Sequence, residues 1–213
     1  MNLEDSVNPK DTAFLIIDMQ NDYCHKEGSM AKQGLDVASI ADMLPSLSDT
    51  IEKARSHQVP IIFIRTIHEK STDSKTWMNR MKGVGQHNLC RKGTWGSEFF
   101  KLSPMDEDTI ITKHRYSAFI NTKLDSVLHT LEIKNLLVAG VSTNVCVEST
   151  ARDGFMLDYN IVFLSDCTAA FSEEAHQSAL ANISQFFGTV ARSGQVLDCW
   201  ESIKINDISI ASK

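Results

Sequence analysis

The stretch Leu136-Leu137-Val138-Ala139-Gly140-Val141-Ser142-Thr143-Asn144-Val145-Cys146-Val147-Glu148-Ser149-Thr150 decides the fold. A run of apolar residues meets a glycine and passes into amphipathic spacing. That pattern predicts a buried strand over 136–139 that turns into a helix over 144–157. Cys146 lies in the turn. The first N–H groups of a helix have no partners within it, and the helix dipole leaves partial positive charge there. A thiol in that position is expected to lean towards thiolate, the attacking form. The ordinary alternative is a small packing thiol in the core.

The same alternation runs outward in both directions. Residues 13–17, 61–64, 109–112 and 161–164 read as short apolar strands, with a shorter sixth at 189–191. Helical spacing occupies 42–57, with Leu44, Leu47, Ile51 and Ala54 on one face, and recurs over 122–131 and 173–187. The segment between the second and third strands reads as irregular and polar. Continuous apolar strands separated by helices indicate parallel pairing with both faces covered. The expected fold is α/β, a three-layer α/β/α sandwich around a mostly parallel six-stranded sheet, Rossmann-like, with residues 1–213 as one domain.

Composition narrows the class. Of 213 residues, 42% are hydrophobic and 23% charged, with a formal net charge of −6, which argues against nucleic acid or an anionic membrane surface as partner. No apolar run approaches the ~20 residues of a membrane helix, and the start does not read as a signal peptide. Five cysteines, an odd number without a CxxC pair, argue against a disulfide framework and for a reducing compartment, the cytoplasm. Cys24, Cys90, Cys167 and Cys199 are read as packing thiols.

In open parallel sheets the ligand site lies beyond the carboxyl ends of the strands. Chemically active residues are therefore expected directly after strands. Asp18 follows the first strand, Lys113 the third, and Cys146 the fourth. Each has an ordinary reading: a turn cap, a solvated charge, a core thiol. Together they form a possible base, cation and nucleophile.

Asp18-Met19-Gln20-Asn21-Asp22, then Lys113, then the Gly140–Val147 stretch with Thr150-Ala151-Arg152-Asp153-Gly154 resembles the isochorismatase-like cysteine hydrolase superfamily. The likeness spans residues 10–192 in motif order. It implies Cys146 as nucleophile, Asp18 as acid and base, and Lys113 as positioning cation. It also implies a cis peptide between Val141 and Ser142, with the Ser142 and Cys146 N–H groups as an oxyanion hole. Within the superfamily, residues 115–117, 121–126, 144–155 and 186–188 are most similar to ureidoacrylate amidohydrolases. The region around Lys113 also resembles biuret hydrolases and N-carbamoylsarcosine amidases. These enzymes cleave a C–N bond of a small amide or ureido compound, and the family implies a homodimer or homotetramer.

Further substrate contacts are expected from neighbours in sequence. Asn21 and Tyr116 adjoin the catalytic positions. Phe119 and Trp95 are candidates for an apolar pocket wall. Arg115 is a candidate for a substrate carboxylate, with a structural ion pair as the alternative. Arg152 and Asp153 read as helix–helix ion pairing. The segment 65–73 departs from the ureidoacrylate pattern. Nicotinamidases carry a metal site there, whereas here His68 stands without a second histidine before His87. His68 is therefore read as a polar loop residue, and neither metal nor cofactor is expected. Two rival readings are a catalytically idle interaction protein and a thiol sensor pairing Cys146 with Cys167.

Overall fold

The computed structural model describes residues 2–83 and 88–211; His87 lies outside them. Six strands, β1 (Thr12–Ile17), β2 (Ile61–Thr66), β3 (Thr109–Lys113), β4 (Asn135–Val141), β5 (Asn160–Ala169) and β6 (Thr189–Ala191), form one sheet in the order β3-β2-β1-β4-β5-β6. Every pairing is parallel. The expected strands are all present; β1, β2 and β3 are one or two residues longer, β4 and β5 extend further, and β6 has the expected bounds. β5 runs to Ala169, and its pairing with β4 breaks register between Val138 and Gly140.

The helices are α1 (Leu3–Ser6), α2 (Asn21–Cys24), α3 (Ser29–Lys32), α4 (Ala38–Ser56), α5 (Lys75–Gly83), α6 (Leu124–Thr130), α7 (Glu148–Met156), α8 (Glu173–Phe186) and α9 (Ser193–Ala211). Strand side chains alternate between two cores. Phe14, Ile16, Phe63, Leu137 and Leu164 pack with Leu47, Ile51 and Trp200 of α4 and α9. Leu15, Ile17, Ile62, Val138 and Phe163 pack with Leu124, Ala151 and Ile183 of α6, α7 and α8. Both faces are thus sealed, which is why the strands read as unbroken apolar runs.

Besides the four-residue helices α1, α2 and α3, two longer helices, α5 and α9, were not expected from periodicity. Apolar residues are sparse in α5. In α9 the inward stripe is carried by Val196 and Trp200, both fully buried, and the Trp200 indole donates to the Val7 carbonyl at 2.6 Å. That contact joins the two ends of the described chain.

The chain moves outward from β1 to β2 and β3, then returns to start β4 on the other side of β1. The carboxyl ends of β1 and β4 therefore flank the switch point, where such sheets open a crevice. Gly140 is what lets the two strands meet there. Its φ is +116°, and a Cβ on it would lie 2.0 Å from the Ile17 carbonyl oxygen. Only glycine tolerates both conditions.

Candidate active site

Asp18 leaves β1 in a left-handed conformation, φ 52°, and its side chain is fully buried. Lys113, the last residue of β3, places its ammonium 2.7 Å from Asp18 Oδ2, and neither side chain reaches solvent. Thr66, the last residue of β2, joins them. Its hydroxyl donates to Asp18 Oδ1 at 2.9 Å and accepts from Lys113 Nζ at 2.7 Å. Lys113 has no lone pair to offer, so the Thr66 proton can go only to Asp18. Oδ1 is occupied, and Oδ2 remains for Lys113 and the thiol. Lys113 also donates to the Arg115 carbonyl at 3.0 Å.

Cys146 does not begin a regular helix. One π-helical turn, Thr143–Val147, precedes α7, and the Ser142 carbonyl accepts from the Val145 and Val147 N–H groups at 3.0 and 3.3 Å. Thr150 secures the turn, its hydroxyl donating to the Cys146 carbonyl at 2.7 Å and accepting from the Ala118 N–H at 3.1 Å. The Val141–Ser142 peptide is cis.

The electrostatics correct the expectation of a resting thiolate. Burial pushes the Cys146 thiol well above the ordinary value, and the Asp18 charge pushes it further, while Lys113 acts in the opposite direction. The favourable helix-end position is outweighed, because a buried sulfur beside a carboxylate cannot easily carry its own charge. Burial pulls the Lys113 ammonium down, but Asp18 and Cys146 outweigh it, and the net shift is upward. The resting site is thus a thiol with a charged ammonium beside it.

These groups meet a cavity of about 190 Å³ lined by Cys146, Ser142 and Thr66 at one side and by His68, Trp77 and Tyr116 among others. The expected substrate contacts divide. Tyr116 and Arg115 line the cavity. Asn21, Trp95 and Phe119 do not. Asn21 is buried and donates to the Trp95 carbonyl at 2.9 Å. The Trp95 ring is 46% exposed and meets the His25 ring edge-on at 5.0 Å. Phe119 stacks on Tyr159, centroids 5.9 Å apart, where it packs against the core beneath α7. Each of the three is instead committed to contacts within the fold that sequence position does not show.

His68, read from the sequence as a polar loop residue, belongs to the cavity wall. It is 3% exposed, lines the cavity, and its Nδ1 has no hydrogen-bond partner. Burial, with the nearby Arg91 and Lys113 charges, lowers its pKa to about 4, so the ring is neutral. Its ring centroid lies 5.1 Å from that of Trp77. Thr66, His68, Trp77 and Arg80 are among the lining residues that periodicity missed. The first two carried a weak signal, in that they end or closely follow β2. Among the described residues no group of three or more His, Cys, Asp or Glu side chains is arranged to hold a metal ion.

The remaining thiols behave as packing groups: Cys24, Cys90 and Cys167 are buried and unpaired, and Cys199 is partly so. Cys167 belongs to the core on the α4 side and Cys146 to that on the α7 side. The sheet separates them, leaving no geometry for a sensor disulfide. Arg152 pairs with Glu148 on its own helix at 2.6 Å and covers the Phe187 ring at 4.3 Å, rather than bridging helices by an ion pair.

A buried carboxylate, ammonium and thiol at the carboxyl ends of three parallel strands are the arrangement of the α/β cysteine hydrolases. Residues 12–195 match the isochorismatase domain, and the chain belongs to the isochorismatase family. It is similar to the ureidoacrylate amidohydrolase RutB of Pseudomonas syringae pv. syringae, 38% identical over 202 residues that cover 87% of this chain and 82% of that protein. The protein of the same name from Serratia proteamaculans is 36% identical over 200 residues, covering 86% and 80%. The crystal structure of a cysteine hydrolase from Pseudomonas syringae pv. phaseolicola superposes with a TM-score of 0.83 at 29% identity, covering 92% of this chain and 95% of that one. No described helix is long and apolar enough to cross a membrane.

Proposed function

We propose that this protein hydrolyses the C–N bond of a small ureido compound, of the ureidoacrylate type, with Cys146 as nucleophile. One observation carries the reading: the thiol stands at a cavity wall with Asp18 and Lys113 buried behind it. The activity by which the similar proteins are named supports the substrate type.

In this scheme Asp18 Oδ2 takes the thiol proton as the sulfur bonds to the substrate carbonyl carbon. The raised thiol pKa is consistent with proton transfer in step with attack rather than before it. The developing oxyanion is assigned to the Ser142 and Cys146 N–H groups, and Lys113 steadies the negative charge shared by carboxylate and sulfur. Asp18 then passes its proton to the nitrogen as the C–N bond breaks. A thioester, carbamoylated where the terminal ureido carbonyl is attacked, remains on Cys146. Water adds to it, Asp18 takes the water proton, and that proton returns to the leaving sulfur. A carbamate product decomposes to ammonia and carbon dioxide.

The reading includes a one-domain chain, 1–213, working in the cytoplasm as a homodimer or homotetramer. Exposed Phe155, Met156 and Phe186 support self-association, which light scattering measures. The decisive experiment is ammonia release from ureidoacrylate, biuret and N-carbamoylsarcosine, with intact-mass trapping of the Cys146 adduct. Cys146→Ala is expected to remove activity by at least about 10³-fold. Full activity in that variant excludes the scheme. A preference for biuret or N-carbamoylsarcosine retains the chemistry and replaces the substrate.

A further inference from the structure

Charged side chains also line the cavity. Its described lining contains two arginines, Arg80 and Arg115, and no Asp or Glu. Lys113 lies behind it, closed from solvent and bound to Asp18 and Thr66. Arg115, the sequence's candidate for a carboxylate, is already committed. It donates to the His114 carbonyl at 2.5 Å and the Thr72 carbonyl at 3.2 Å, and its guanidinium lies 5.1 Å from the Trp77 ring centroid. Arg80, on α5, differs. Among the described residues it has neither ion pair nor hydrogen bond, and it is exposed while still lining the cavity. Tyr116 lines the same cavity as Cys146 and Arg80. The nucleophile and this guanidinium therefore face one shared cavity. Trp77 and Tyr116, centroids 5.1 Å apart and edge to face, supply flat apolar walls.

We propose that Arg80 binds a carboxylate on the substrate, so that the cavity selects anionic over uncharged ureido compounds. This rests on the ureido-hydrolase reading above. An unpaired guanidinium beside apolar walls suits a carboxylate, which accepts two parallel N–H bonds from its planar fork. An uncharged substrate leaves that fork unused. Because the anchor lies away from the reacting carbonyl, it acts on binding and orientation, not on the bond-breaking step. Arg80 is thus a specificity residue.

The test compares ureidoacrylate with its methyl ester, which keeps the reactive end and lacks the charge. Wild type is expected to prefer the acid. Arg80→Gln is expected to raise KM for the acid roughly 10–100-fold while kcat stays within about twofold and the ester is unaffected. Arg80→Lys restores part of the loss. Equal loss on acid and ester, or no loss on either, overturns the proposal. If neither compound is hydrolysed, the ureido reading fails, and calorimetric binding of fumarate, a planar dicarboxylate, then decides. Binding weakened by Arg80→Gln supports the anion site. Binding that is absent, or indifferent to Arg80, overturns it.

Discussion

At the scale of single residues the site is a balance of burial against charge. Cys146 is surrounded by groups that act on its proton in opposite directions, and the upward ones prevail. This gives a prediction in which two readouts diverge. Asp18→Asn removes the negative neighbour and leaves Lys113, so the thiol pKa falls. Iodoacetamide alkylation of Cys146 at pH 7 is expected to speed up, about tenfold per pKa unit. Hydrolysis is expected to drop by roughly 10²–10⁴, because the proposed base is gone. Slower alkylation in the variant contradicts the charge argument.

His68 makes a residue-scale prediction about acid stability. Its pKa is about 4 in the fold against 6.5 ordinarily. As pH falls below 6.5 the unfolded chain takes up the proton first, so stability is lost between about 6.5 and 4 and is complete above that window. The amount is roughly 3 kcal/mol. Urea midpoints followed from pH 7 to 4 should fall more steeply for wild type than for His68→Gln. Parallel curves refute the assignment.

At the scale of elements, the junction of β1 and β4 decides where the thiol stands. Gly140 sits against Ile17 with a positive φ, and the π-helical turn follows directly. Gly140→Ala is expected to destabilise by roughly 1–3 kcal/mol from conformation alone, with the contact against Ile17 adding to it. It should also displace Cys146, so kcat falls even where the variant remains folded. Chemical denaturation with activity measured on the folded fraction separates the two effects; a stable, fully active variant would remove Gly140 from this role. The apolar runs of β1, β2, β4 and β5 were legible because burial on both faces leaves no room for polar residues. Residues 65–108 were not legible. Gln20, for example, holds that region by accepting from the Thr66 N–H at 2.7 Å and donating to the Thr66 and Ser97 carbonyls at 2.9 and 2.8 Å. Such long-range polar ties have no periodicity to read.

At the scale of the whole molecule, two cores on either side of one sheet share the load unequally in sequence signal. The α4 side is closed by α9, whose Trp200 is fully buried and bonded to Val7. Trp200→Ala is expected to cost about 3–5 kcal/mol, seen as a lower urea midpoint, with kcat unchanged below the transition. An unchanged midpoint would mean that α9 packs less tightly than the buried indole implies. Joining residues 7 and 200 also explains why α9 escaped prediction: its anchor is at the other end of the chain.

The alternation of strand and helix, the parallel sheet, and the placing of Asp18, Lys113 and Cys146 at strand ends were legible in the chain alone. Those features follow from local rules, namely burial periodicity and the position of active groups beyond carboxyl ends. Tertiary structure decided what those rules cannot reach. It made the thiol a protonated one, inserted Thr66 between carboxylate and ammonium, brought His68 and Trp77 to the cavity, and turned Trp95 and Phe119 away from it. Each of these depends on which side chains far apart in the chain share a low-dielectric space, and a proton's position in such a space is set by neighbours in three dimensions.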